Sequence, residues 1–499
     1  MRLVYKLSIV FIVLLFTSLI IMYSIVIDER SWIGSKLVSY WYAEIGSYDV
    51  DINSPTVVIH QSLALTLFLF VIAVTIFRME WRVVAVFFSL VMVVILGIVP
   101  PQNLIKSAIE WDLILFLIGS MTLAGVLREL GVFKYLAVNA VRVSRGNSII
   151  LLTLILTLAF ILSALLGEVT SIIYVVMLLF ELSKLFRINV AYLIILAVLA
   201  TNTGSVALPI GNPIGIYLFF TTNMSMSEFL RYCFPLSLIT HVVLLTLMII
   251  LGKDTIKSIS KVFKESPEGL NVFVTSYYLS ISKKELKLIR SGLIILLAFI
   301  TTVILNDYLS DYLTLISGVS VDPHSFLAFI PYIFIIISLF VSPPERISEV
   351  LEKSVEWPSL LFFIGLFILS YALTYTGAIF KIAYVLSGIR FPLIILAVFL
   401  LASASLSSVL DNLSVIVSMT PIAILLNNLG LVGRGIFYAL LFGGVFGGNY
   451  TPIGSTANII AISIAEKERV RIGWGEWLRV ALIITTAQLI VALLWLYII

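Results

Sequence analysis

The stretch GGVFGGNYTPIGSTANIIA, Gly443 to Ala461, decides how the rest of the chain is read. It holds five glycines, one proline and two asparagines, with Thr451, Ser455 and Thr456 among them, and apolar runs flank it on both sides. Glycine loosens a helix through its conformational freedom, and proline through its missing N–H. Inside lipid such a segment must hide its freed backbone groups in protein or in a water-filled cavity, because hydrocarbon offers no hydrogen bonds.

Lipid is where composition puts it. Of the 499 residues 61% are hydrophobic and 12% charged, against about 25% charged in a soluble domain. Apolar runs near the length of a membrane span recur from end to end, so the chain reads as an all-α polytopic membrane protein. The first run, Leu7 to Ile27, follows Arg2 and Lys6 but has no small-residue cleavage site after it, and is expected to stay as a helix. Cys233 is the only cysteine, which excludes an internal disulfide and a cysteine-based metal cluster. The net charge of +4 sits mostly in loops, where it reports orientation and not a nucleic-acid partner.

The one long polar insert, Lys253–Arg290, carries eight Lys/Arg against four acids and is expected in the cytoplasm. Lys6, Arg78, Arg82, Arg128, Arg142, Arg145, Lys184 and Arg187 fall on the same side. The acid-rich loops Asp28–Gln61 and Asn306–His324 fall outside. Threading between them gives about 11 spans, near 7–27, 62–77, 83–99, 112–127, 190–222, 233–251, 291–305, 325–341, 359–375, 435–465 and 480–499. The N-terminus is then cytoplasmic and the C-terminus outside a cell membrane. Residues 131–145, apolar at 132, 133, 136, 137, 140 and 141, are expected to lie along the cytoplasmic interface. Two further apolar blocks, 148–186 and 391–429, can be hairpins or pairs of spans.

The chain also matches itself. IEWDLILFLIG at 109–119 returns as VEWPSLLFFIG at 355–365, and LPIGNP at 208–213 lines up with TPIGST at 451–456. In that second register Gly204 meets Gly447, Pro209 meets Pro452, Gly211 meets Gly454, and Glu168 falls on Asp411. Glu110 opens the first copy from outside and Glu356 opens the second from the cytoplasm. Two copies in opposite senses form an inverted repeat, the plan of many secondary transporters.

Each copy contains one polar interruption followed by one breakable helix. In the first these are SALLGEVTS (163–171), with Glu168, Thr170 and Ser171, and NTGSVALPIGNP (202–213), with Asn202, Thr203, Ser205 and Asn212. In the second they are SSVLDNLS (407–414), with Asp411, Asn412 and Ser414, and the opening stretch, with Gly447, Gly448, Asn449, Thr451, Pro452, Ser455, Thr456 and Asn458. A broken helix offers N–H groups to an anion and carbonyls to a small hard cation. These residues are therefore the candidate ion- and substrate-binding set. A mid-membrane carboxylate costs on the order of 3 kcal/mol on insertion scales and marks ion or proton paths. Glu168 and Asp411 are accordingly expected to handle a coupling cation, with Na⁺ near Glu168 and Gly204 and near Asp411 and Gly447. No basic residue lies in the middle of either block.

VLDNLSVIVSMTPIAILL followed by FYALLFGGVFGGNYTPIGSTANIIAISIAE resembles the ion transporter superfamily, in its branch of arsenite permeases, sodium–proton antiporters and the P-protein, with a citrate-transporter-like domain. The second copy keeps that group's pattern at Asp411, Asn412, Gly447, Gly448, Thr451, Ile453, Gly454, Ser455 and Asn458. The first departs, with Glu168-Val169, Gly204-Ser205, and Gly215 in place of the last asparagine. The resemblance implies that 148–186 and 391–429 are re-entrant hairpins with tips at Glu168 and Asp411. It implies that these tips meet the unwound stretches 203–213 and 447–458, that the core moves as an elevator, and that scaffold helices can form a homodimer. It orders the chain as scaffold helices 1–108, a first transport repeat 109–251, a cytoplasmic connector 252–290, scaffold helices 291–354 and an inverted second repeat 355–499.

The expected activity is secondary transport of a small anion of the arsenite, dicarboxylate or citrate type, coupled to Na⁺ or H⁺, with no other cofactor. Sodium–proton antiport through Asp411 and Glu168 is the alternative. An enzyme is not expected, because His60, His241 and His324 are scattered and no His-Glu-x-x-His motif is present.

Overall fold

A computed structural model describes residues 2–48, 50–186, 188–265, 267–342 and 344–499, with the side chains of 2–5, 185, 267, 268 and 270 outside that description. Arg187 and the Arg2 side chain, both read as cytoplasmic charges, lie outside the described set. Among the described residues every regular element is helical. Eight helices of the described residues are long and apolar enough to cross a membrane: Lys6–Ser24, Pro55–Phe77, Trp111–Glu129, Ser148–Leu166, Met226–Leu251, Lys283–Ile304, Trp357–Tyr375 and Trp474–Ile498. Five apolar helices are shorter: Ala191–Ser205, Pro323–Ser338, Pro392–Ser407, Asn412–Asn428 and Gly435–Gly447. The stretches expected as about 11 spans fall among these eight long helices and five shorter ones, except 83–99, which falls on Arg82–Ile95. The longest of the short ones has 17 residues, about 26 Å at 1.5 Å per residue, less than a hydrocarbon core of about 30 Å.

The helices form two compact units. Residues 1–111 and 357–444 make the first, and residues 112–356 and 445–499 the second.

In the first unit the N-terminal helix packs on Pro55–Phe77, which packs on Arg82–Ile95 and Trp357–Tyr375. Trp357–Tyr375 also packs closely on Arg82–Ile95, and Gly365 makes this contact possible, since a Cβ there would stand 1.8 Å from Val86 Cγ1. The acid-rich segment read as a loop contains a helix, Trp32–Ile45. Ser31 caps its start by accepting the Gly34 N–H, and Gly46, at φ +66°, ends it. The helix that follows begins at Pro55 and not at 62. Pro392–Ser407 and Asn412–Asn428 pair as a helical hairpin with its turn at 408–411.

In the second unit Ser148–Leu166 turns at Gly167, at φ +88°, into Glu168–Phe186, making the other hairpin. The expected interfacial helix runs Val132–Ser144 and buries Val132, Phe133, Ala137, Val138 and Val141. The connector is itself helical, Lys253–Glu265 and Pro267–Ser280, and Ile256, Ile259 and Phe263 join the apolar core beneath it. The segment Asn306–His324, expected outside, contains the helix Asn306–Ser317. Cys233 is fully buried at the end of a π-helical turn, Phe229–Cys233.

Candidate functional site

Both breakable helices are broken. Ala191–Ser205 ends, Pro209–Gly211 forms a single 3₁₀ turn, and the chain restarts at Pro213 with Asn212 as its cap. Gly435–Gly447 ends, Gly448–Tyr450 and Pro452 pass without regular helix, and the chain restarts at Thr456 with Ser455 as its cap. The two breaks share their geometry. A Cβ on Gly211 would stand 2.4 Å from Ser205 O, and a Cβ on Gly454 would stand 2.4 Å from Gly448 O. Only glycine fits that approach.

An asparagine amide then ties each break. Asn212 Nδ2 donates to Ser205 O (3.0 Å) and Ser205 Oγ (2.9 Å), while Asn458 Nδ2 donates to Gly448 O and Thr451 O (2.8 Å each). The first copy has therefore not lost the anchoring amide, as Gly215 in the place of Asn458 had suggested. The amide sits three residues earlier, on the capping position itself.

The two breaks also bond to each other within this unit. Asn202 Nδ2 donates to Asn449 Oδ1 (2.6 Å), Ser455 Oγ (3.1 Å) and Asn458 Oδ1 (3.1 Å). All four side chains are buried. Gln488 Nε2, from the C-terminal helix, donates to Thr203 Oγ1 (2.7 Å), and Ser237 Oγ donates to Thr203 O (2.7 Å). Trp477 Nε1 donates to Asn449 O (3.0 Å). Reading the repeats alone missed Gln488, Ser237 and Trp477. The signal for Gln488 was one amide in the apolar run ALIITTAQLIVALL.

The first hairpin leans on the first break. Gly204 lies flat on the Phe160 backbone, where a Cβ would be 2.1 Å from the carbonyl oxygen. Ser171 Oγ donates to Ala159 O (2.8 Å), so Ser171 ties the two hairpin arms together. Past the tip opens a cavity of about 190 Å³. Glu168, Thr170, Asn212 and Pro213 line it, as do Ser120, Arg128, Lys353 and Glu356; Gly204 does not. Glu168 and Pro213 are the first residues of their helices, so two helix N-termini reach this one space. Arg128 Nη2 donates to Ser354 Oγ (2.9 Å) at its rim.

Asp411 belongs to the first unit and Glu168 to the second. Asp411 caps Asn412–Asn428 by accepting from the Ser414 N–H (3.4 Å) and hydroxyl (3.3 Å). Asn412 and Ser414 are buried beside it. Ser407 Oγ donates to Gly444 O (2.6 Å) and is in hydrogen-bond contact with the Asn412 side chain. The Arg82 guanidinium acts electrostatically on Asp411, and it donates to Ser359 Oγ (2.9 Å). The carboxylates therefore do have cations in their surroundings, which inspection of the two blocks alone had not found. Arg82 and Arg128 come from helices outside those blocks.

A profile of the citrate transporter family matches residues 67–443, more than half of the chain. The chain belongs to the citrate transporter family. Similar proteins include an uncharacterized transporter of Mycobacterium bovis, 28% identical over 421 residues that cover 81% of this chain and 90% of that protein. A 46 kDa membrane protein of Mycobacterium leprae is 27% identical over 86% of this chain and 98% of its own length. The human P protein is 24% identical over 82% of this chain, which spans 56% of that longer protein. The resemblance to the ion transporter superfamily read from Asp411, Asn412 and the glycine-rich stretch thus holds. This citrate transporter family member is a multi-pass membrane transporter.

Proposed function

We propose that the protein is a secondary active transporter that moves a small anion of the arsenite, dicarboxylate or citrate type together with Na⁺ or H⁺. One observation carries this reading: the cavity that contains Glu168 and Glu356 also receives Arg128, Lys353 (itself paired with Glu349) and the helix N-terminus that starts at Glu168. Helix N-termini and basic side chains favour an anion. An anion and an ionised Glu168 in one small space repel each other, by about 4 kcal/mol at 4 Å in a partly screened site. A proton or Na⁺ on Glu168 removes that repulsion, and this is a physical basis for obligatory coupling. The site would be Glu168, Thr170 and Asn212, with the paired breaks as its rigid support and Asp411, Asn412 and Ser414 as the counterpart in the second repeat. Re-entrant hairpins and an elevator-type movement follow from the same family likeness.

Sodium–proton antiport is the second reading, favoured by a carboxylate at the matching place of each hairpin. Proteoliposomes distinguish the two. Under the leading reading, radiolabelled citrate, succinate or arsenite accumulates only with an inward Na⁺ or H⁺ gradient, and Glu168→Gln abolishes the gradient dependence. Proton efflux driven by Na⁺ with no anion present would instead establish antiport. Gradient-independent, non-saturable flux would sink both.

A further inference from the structure

We infer that the base of the first hairpin holds a binding site for the phosphate headgroup of an anionic membrane phospholipid. This goes beyond the transport reading and does not depend on it. The site is a cavity of about 770 Å³ between the turn 145–147 and the connector helix Lys253–Glu265. Arg142, Arg145, Lys257 and Lys264 line it, and no lining residue is acidic.

Four cations around one space repel one another unless something negative joins them. The ion pairs formed by the described residues go elsewhere: Lys134 to Glu181, Lys184 to Glu468, and Lys261, on the same connector helix, to Glu265. Arg142 stacks over the Tyr278 ring at 5.6 Å, an arrangement that leaves its N–H groups available to an anion. Arg145 holds a left-handed conformation, φ +48°, at the end of its helix, a position that glycine usually takes. The hairpin's own N-terminus contributes little, because Asn147 Oδ1 already accepts from Ile149 N (3.0 Å) and Ile150 N (3.1 Å). The anion would therefore be held by side chains.

The surroundings select a lipid over a soluble anion. Ile149, which lines the cavity, is 40% exposed, and Val143 and Ile150, next in sequence to the lining residues Arg142 and Ile149, are 62% and 45% exposed, an apolar flank suited to acyl chains. On its other side the connector helix buries Ile256, Ile259 and Phe263 in the core and turns its lysines outward. A cationic hollow with an apolar apron is the complement of a phospholipid at the headgroup level.

The test titrates delipidated full-length protein in neutral detergent with phosphatidylglycerol. The unfolding midpoint is followed, and bound lipid is counted by native mass spectrometry. Phosphatidylcholine and inorganic phosphate serve as the other arms. The expected result is a rise in midpoint with phosphatidylglycerol alone. Apparent affinity should be about 30-fold weaker in Arg145→Gln/Lys257→Gln, as loss of two interfacial cationic contacts implies, and unchanged in Lys261→Gln. Should the double variant fail to fold, by size-exclusion chromatography, Lys264→Gln carries the same comparison with one charge removed. No response of the wild type to phosphatidylglycerol, or an equal response in the variants, overturns the site. The same shift with inorganic phosphate alone overturns the lipid assignment.

Discussion

At Asn202 one amide nitrogen with two hydrogens faces three oxygens, those of Asn449, Ser455 and Asn458. Removing that nitrogen takes the donor from the buried Asn449 Oδ1, at a cost of about 1–3 kcal/mol, whereas Asn458 Oδ1 still accepts from the Ser455 hydroxyl and Ser455 Oγ from the Asn458 N–H. Asn202→Ala is expected to lower the unfolding midpoint in detergent by several degrees; a midpoint equal to wild type would show the bonds to be dispensable. The two glycines make a sharper pair. Gly211→Ala and Gly454→Ala each drive a Cβ to 2.4 Å from a carbonyl oxygen of the same break. Both should abolish uptake in proteoliposomes while the protein still elutes as a single folded species. Gly433→Ala and Gly475→Ala, whose new methyl meets nothing within 4 Å, should transport normally. Normal uptake by Gly454→Ala would mean that the break tolerates widening.

At the level of elements, each hairpin depends on a few cross-ties. Ser407 joins the second hairpin to the Gly444 carbonyl and to Asn412 at the tip. In Ser407→Ala, amide hydrogen exchange at 408–414 is expected to speed up severalfold, about as much as the loss of one buried hydrogen bond of roughly 1 kcal/mol implies. An unchanged exchange rate there would remove Ser407 from the support of Asp411. The breaks were legible in the sequence because Pro209, Gly211, Pro452 and Gly454 act through their own backbones, whatever surrounds them. Asn212 was not legible as the partner of Asn458, because the amide moved three residues and residue-by-residue matching cannot follow a contact that changes position. The helix Trp32–Ile45 was hidden for a different reason. Its caps, Ser31 and Gly46, are plain signals, but the acids around them read as a loop. Arg82 and Arg128 could not be found by inspecting the two blocks, because their nearness to Asp411 and to the Glu168 cavity is a property of packing.

For the whole molecule, the second unit is built from two separated stretches of the sequence, 112–356 and 445–499. The C-terminal helix Trp474–Ile498 packs on Phe234–Leu251 and Ala191–Ser205, and Thr456–Lys467 packs on Glu168–Phe186. A fragment ending at residue 281 lacks these partners and leaves Asn202 and Thr203 open. Expressed alone it should be degraded or aggregate, whereas co-expression with 282–499 should restore uptake. Stable, monodisperse 1–281 would contradict this picture. The positive balance of Lys253–Arg290 also predicts that a protease clips the connector in inside-out vesicles and leaves it intact in right-side-out ones. The buried Cys233 has a practical consequence at this scale. Its sulfur is shut away from maleimides and methanethiosulfonates in the folded protein, so the natural chain is already a quiet background for spectroscopy. Spin labels attached at pairs of introduced cysteines would report distances between hairpin and helix, with Cys233 left in place.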